Sequence, residues 1–181
     1  PLIYNLILFS YNSRTGEAII RYSPIANQFI SATINVDVND GNSSVSEPFT
    51  VNVISVNDAP TINTVNNQST NEDTPIDVII DGISAGAGNE SGQFLTIVAE
   101  SDNTAIIPDG VVSYSQGNPS GTITFSPVSN AFGAATITVT ISDDGSTANP
   151  GDDNEFSFTF NLTVNAVNDP PTLADITSPN A

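Results

Sequence analysis

Apolar and polar residues alternate along much of this chain. Ile137, Val139 and Ile141 are interleaved with Thr136, Thr138 and Thr140, and Phe156, Phe158, Phe160, Leu162 and Val164 with Ser, Thr and Asn. A period of two is that of a strand with one face buried and one face wet. Ile34, Val36 and Val38, then Phe49, Val51 and Val53, repeat the pattern nearer the N-terminus. Further strands are expected at 76–80, 94–99, 111–114 and 122–125, and no helical period competes with them. Seven or so short strands separated by Gly, Asn, Asp and Pro predict an all-β, Greek-key β-sandwich.

The sequence contains an internal repeat. Residues 22–29, YSPIANQF, align with residues 125–132, FSPVSNAF, and ATINVDVNDG then aligns with ATITVTISDDG. Further on, VNDAPT at 56–61 recurs as VNDPPT at 167–172, which sets a full repeat of 111 residues, whereas Tyr11 and Tyr114 in the core blocks stand 103 apart. The extra residues fall in STANPGDDNE, a Gly-, Pro- and Asp-bearing loop. A period of this size marks a modular array. The expected organisation is tandem sandwich domains, the first incomplete: 1–60 the C-terminal part of a repeat with its linker, 61–171 a complete repeat, and 172–181 the start of a following repeat or a tail. Pro1 aligns near Thr104, so the first repeat lacks the equivalents of residues 61 to about 103. A half sandwich with open edges is not expected to stand alone, so the chain reads as a piece of a longer array in preference to one whose missing strands come from elsewhere.

Charge narrows the function classes. Two Lys and Arg residues stand against twenty Asp and Glu, a formal charge of −18. Such a surface repels phosphate backbones and anionic headgroups, so neither nucleic acid nor a membrane surface is an expected partner. The acidity points either to bound divalent cations or to solvation in a salty medium. The absence of Cys and His excludes soft-ligand zinc and copper sites, thiol nucleophiles and imidazole bases. With no Trp and no long loops, a glycosidase cleft around paired carboxylates is not expected either. The chain is therefore read as no enzyme, with no catalytic residues. The apolar run near the N-terminus lacks a basic flank and a small-residue cleavage site, so it does not read as a signal peptide. No stretch approaches the roughly 18 apolar residues of a spanning helix. Arg14 and Arg21 read as surface residues, the run 152–155 (DDNE) as a solvated loop, and the Asn-x-Ser/Thr triplets at Asn42, Asn89 and Asn161 as chance.

The full repeat resembles a cadherin repeat, and especially the cadherin-like and immunoglobulin-like tandem repeats of large bacterial surface adhesins. Four segments carry the resemblance. NEDTP at 71–75 resembles the family's early Glu motif, VAESD at 98–102 its VxAxDxD strand end, VTISDDG at 139–145 its VxAxDxG, and VNDAP at 56–60 its DxNDNxP linker. The resemblance implies calcium at the junctions between repeats. Asn57 and Asp58 would act with Glu100, Asp102 and Asp143 at one junction, and Glu72 and Asp73 would face Asn168 and Asp169 at the other pole. Two departures, Ser126-Pro127-Val128-Ser129-Asn130 in place of LDRE and Ser55 in place of the leading linker Asp, imply fewer or weaker ions. The implied function is a structural and adhesive extender of an extracellular, cell-surface bacterial protein. Its expected partners are calcium, neighbouring repeats of the same polypeptide and, through other domains, cell-surface or glycan ligands. The alternative is a carbohydrate-binding or spacer module of a secreted polysaccharide-degrading enzyme. Taken singly, the Asp and Asn residues at strand ends also read as ordinary turn formers.

Overall fold

A computed structural model describes residues 4–12 and 14–173. Most of the expected tail, 174–181, lies outside them. The described residues form eleven strands: β1 (Tyr4–Asn12), β2 (Glu17–Pro24), β3 (Ile30–Asn39), β4 (Ser44–Val53), β5 (Gln68–Asn71), β6 (Ile76–Asp81), β7 (Thr96–Ser101), β8 (Val111–Ser113), β9 (Ser120–Phe125), β10 (Gly133–Ser142) and β11 (Glu155–Asn165). A single 3₁₀ turn, Gly88–Glu90, interrupts them. By contacts the chain divides into one unit of Pro1–Ala59, Ala85–Phe94 and Asp143–Asn154, and another of Pro60–Ser84, Leu95–Ser142 and Glu155–Ala181. Two loops that the repeat alignment gives to 61–171 therefore group with the first unit.

The second unit is a β-sandwich. One sheet has the order β5-β11-β10-β7 and the other β6-β9-β8. Strands distant in sequence lie side by side, as a Greek key requires. All pairings are antiparallel except that of β5 with β11. The alternation on β10 explains its place at the centre: Ala135, Ile137, Val139 and Ile141 are buried, and the intervening threonines face outward. Opposite them stand Ile97 and Ala99 of β7 and Phe160 and Leu162 of β11. The rings of Phe125 on β9 and Phe160 on β11 meet edge to face, 6.1 Å apart at 78°. One ring comes from each sheet, so the two inner faces share a core, each large side chain in it contributing about 1.5–3 kcal/mol. Gly110 is required there, since a Cβ would stand 2.4 Å from Ile123 Cγ2 and 2.7 Å from Phe125 Cε1.

Two elements differ from the sequence expectation. β7 starts at Thr96 rather than at Phe94, because both preceding residues bond to side chains: the Phe94 amide donates to Asp144 Oδ1 at 2.7 Å and the Leu95 amide to Gln116 Oε1 at 3.0 Å. The four-residue β5 carries no apolar alternation, and its parallel register against β11, Gln68 opposite Leu162, forms it.

In the first unit β1 pairs with β2 across a bulge between Leu6 and Leu8, and β3 pairs with β4. Val51 and Ala85 are its buried apolar residues among those described. The repeat spacing maps β3 onto β10 end to end, 30–39 onto 133–142. The corner before each strand is also shared. Asn27 has φ 59° and Asn130 φ 58°, a left-handed conformation that Asn tolerates better than most residues.

Candidate functional site

The first unit contains a polar cluster built around Asn57. This side chain is only 5% exposed and leads directly into the Asp58-Ala59-Pro60 segment. Its amide donates to Asp152 Oδ1 at 2.8 Å, its carbonyl accepts from the Asp153 amide at 2.9 Å, and its Nδ2 donates to Asp143 Oδ1 at 3.0 Å and to the Asp153 carbonyl at 2.7 Å. Gln93 Nε2 donates to Asn57 Oδ1. Every polar group of Asn57 is thereby paired, as burial demands. Gly145 leaves the room for this, because a Cβ there would lie 1.8 Å from Asn57 Oδ1.

The surrounding carboxylates act mainly as acceptors for backbone N–H groups. Glu90, 5% exposed, accepts from the Asp58 amide at 3.0 Å and the Ala87 amide at 3.1 Å. Gly86, at φ 111°, comes close enough that a Cβ would meet Glu90 Oε2 at 2.8 Å. Asp152 accepts from Asn57 and, at 2.6 Å, from the Asn149 amide. The Asn57 and Asn149 amides hold the Asp152 carboxyl below its ordinary value; the same effect from the Ser43 and Asn42 amides acts on Asp40 in its turn.

Asp143 differs from these. It is 7% exposed, and while Oδ1 accepts from Asn57 and from the Gly145 amide at 2.8 Å, its buried Oδ2 has no hydrogen-bond partner. Gln93 Oε1 is a second buried acceptor without one. Asp40, the repeat equivalent of Asp143, makes the same kind of turn, accepting from the Asn42 amide at 2.9 Å and the Ser43 amide at 2.8 Å, but it stays exposed. The turn-forming reading thus describes both residues, and only Asp143 adds a buried, donorless oxygen. Alongside the cluster runs a cavity of about 360 Å³ whose lining includes Phe29, Asn89, Gln93, Asp144 and Asn149.

The remaining expected ligands lie elsewhere, in the second unit. Asp102 donates its amide to the Thr136 carbonyl at 3.1 Å and accepts the Thr136 amide at 2.7 Å, while Glu100 is exposed opposite Thr138. In the β7/β10 register Thr96 pairs with Ser142, the residue before Asp143, and Ser101 pairs with Ile137. Glu100 and Asp102 therefore sit at the far end of β7, roughly 13 and 20 Å along the strand from Thr96, and the expected convergence of Glu100 and Asp102 with Asp143 does not occur. They lie at the same end as Glu72. That residue is buried, its Oε1 accepting from the Val167 amide and its own amide donating to the Asn165 carbonyl at 2.9 Å. Asp73 accepts from Ser129 Oγ at 3.0 Å and the Asn130 amide at 3.1 Å. Asn168 and Asp169 are exposed, Asn168 Nδ2 donating to the Asp169 carbonyl at 3.1 Å. Among the described residues no three Asp or Glu side chains converge on one point. Glu90 and Gln93 were not anticipated, since a 3₁₀ turn and a loop bring them to Asn57 without any periodic signal.

A family profile described as Bacterial Ig domain matches residues 57–152, slightly more than half of the chain. Among solved structures the chain is similar to domains 4 and 5 of the S-layer protein SbsC, with 15% identity, 87% of this chain and 89% of that one covered, and a TM-score of 0.34. Domains 1–6 of SbsC give 19% identity, coverage of 82% and 18%, and a TM-score of 0.38. The EC1-2 region of human protocadherin-24 gives 14% identity, coverage of 93% and 82%, and a TM-score of 0.44. Comparison with curated proteins gives no match. Among the described residues no helix is long and apolar enough to cross a membrane.

Proposed function

The chain belongs to the bacterial Ig domain family, and from that premise we propose that it is a non-catalytic extender of an extracellular bacterial surface protein, stiffened by calcium at the Asn57 cluster. The observation that carries the calcium reading is the buried Asp143 Oδ2 without a donor, in a cluster that also holds the donorless Gln93 Oε1. A buried carboxylate oxygen is costly unless a positive partner compensates it, and hard oxygens from carboxylate, amide and carbonyl groups are what calcium takes. Asp143 Oδ2 and Gln93 Oε1 are the groups free to hold the ion. When bound, it would supply the positive charge that the cluster lacks and tie the 55–59 segment to loops 87–93 and 143–153.

Extracellular modules bind calcium at about 10⁻⁴–10⁻³ M, and saturation at about a hundred times Kd stabilises a fold by ~2.7 kcal/mol. Calorimetric titration with calcium, together with melting in calcium and in chelator, tests the reading. Saturable binding and a raised melting temperature are expected; heat without saturation and an unmoved transition sink it.

A carbohydrate-binding role is favoured by the cavity, which joins the exposed Phe29 ring to amide and carboxylate groups. Specific, saturable binding on a glycan array, lost in Phe29→Ala, would replace the extender reading with this one.

A further inference from the structure

The two VND segments of the chain share a motif and part company at its end. VNDAP at 56–60 places Ala59 after Asp58, whereas VNDPP at 167–171 places Pro170 after Asp169, the one Asp-Pro bond in the sequence. Asp169 and Pro170 are both exposed and lie outside any strand, beyond the end of β11 at Asn165. The hydrogen bonds around the two segments differ as well. Asn168 Nδ2 donates to the Asp169 carbonyl oxygen at 3.1 Å, and that carbonyl is the one joined to the Pro170 nitrogen. At the equivalent place Asn57 Nδ2 donates instead to Asp143 Oδ1 and to the Asp153 carbonyl.

Three requirements for breaking a peptide bond from within therefore meet at Asn168, Asp169 and Pro170. The nucleophile is the Asp169 carboxylate, which reaches its own residue's carbonyl carbon by closing a small ring and needs no help from packing to approach it. The Asn168 donor stands on the oxygen where negative charge develops as that carbon turns tetrahedral. The leaving atom is the nitrogen of a tertiary amide, which has no N–H of its own.

We propose that Asp169–Pro170 is a self-cleaving, acid-triggered break point, with Asn168 activating the carbonyl that is attacked. A carboxylate oxygen of Asp169 bonds to the Asp169 carbonyl carbon, the C–N bond to Pro170 breaks, and a hydronium ion supplies the proton that the departing nitrogen takes up. Water then opens the cyclic anhydride left on Asp169, giving its side-chain and new terminal carboxyl groups, and Pro170 becomes a free secondary amine. The Glu72 amide holds the Asn165 carbonyl and the Glu72 carboxylate holds the Val167 amide, both on the near side of the cut. The sandwich thus keeps every strand while whatever follows Asp169 is released. Neither Asp143 nor Gln93 takes part, so the step stands or falls apart from the calcium reading.

The test incubates the full 181-residue chain at the lowest pH at which circular dichroism still reports intact sheet, and follows the products by mass spectrometry. Fragments 1–169 and 170–181 are expected to accumulate there and to be absent at neutral pH over the same period. Pro170→Ala should abolish them. Asn168→Ala should slow them by roughly two- to tenfold, the effect of losing one hydrogen bond, and in acid urea that difference should vanish. Ala59→Pro gives the first segment the same dipeptide; its 58–59 bond should break more slowly than 169–170 in the folded chain and at an equal rate in urea. Cleavage at 169–170 no faster than at other Asp bonds overturns the proposal. So do equal rates for the folded parent and Asn168→Ala, which would leave a labile dipeptide to which the fold contributes nothing.

Discussion

Asn57 and Asp143, 86 residues apart in sequence, are joined by a hydrogen bond of 3.0 Å from a carboxamide to a buried carboxylate. That bond stands only because position 145 has no Cβ. Asn57→Ala leaves Asp143 without its side-chain donor and costs about 1–3 kcal/mol. Gly145→Ala should cost at least as much, since the intruding methyl displaces the same amide from all its partners. Urea denaturation of the two variants and of the double variant checks this, with the double close to the larger single effect because both act on one cluster.

Asp40 and Asp143 form the same turn at equivalent places, so they make an internal control for the ion site. Asp143→Asn should remove calcium-dependent stabilisation, because it neutralises the oxygen without a donor, while Asp40→Asn should leave it intact. Melting of each variant with calcium and with chelator separates them. Equal responses would show that turn chemistry alone accounts for both residues.

Acid should loosen the Asn57 segment through Asp152. The Asn57 and Asn149 amides depress the folded-state value of this carboxyl below its ordinary 3.8, so its contribution is complete above that pH and is lost as pH falls through the lower, folded value. Asp152→Asn should flatten the dependence of stability on pH below about 4, as measured by urea midpoints across an acid series, with little change in that dependence at neutral pH.

Equivalent core positions should respond unequally. Ile141→Ala opens a cavity among fully buried neighbours and should cost about 2–5 kcal/mol. Val38→Ala, at a side chain 66% exposed, should stay within about 0.5 kcal/mol. Chemical denaturation of the two variants measures the contrast.

The sandwich was legible because strands such as β10 and β11 carry long two-residue alternation, which only one packing can bury. β5 was not, since four polar residues become a strand only when β11 offers its edge. The linker Asn57 and the turn Asp143 were legible as a pair of chemically apt residues, but their partners Glu90 and Gln93 were not. Neither of these follows a period, and each reaches the cluster through a loop whose course depends on tertiary contacts. The grouping of Glu100 and Asp102 with Asp143 went astray for a similar reason: a motif at a strand end does not say which end of the sheet that strand reaches until its register is known.

Asn27 and Asn130 hold the same left-handed corner in two repeats whose flanking residues differ, YSPIANQF against FSPVSNAF. A bend written into a single residue's backbone preference travels with the segment when it is duplicated, independently of whatever packs above it. Arrays of this kind can thus lengthen by copying while their outer surfaces drift, each new copy inheriting the direction in which its chain crosses over before it has acquired any neighbour of its own.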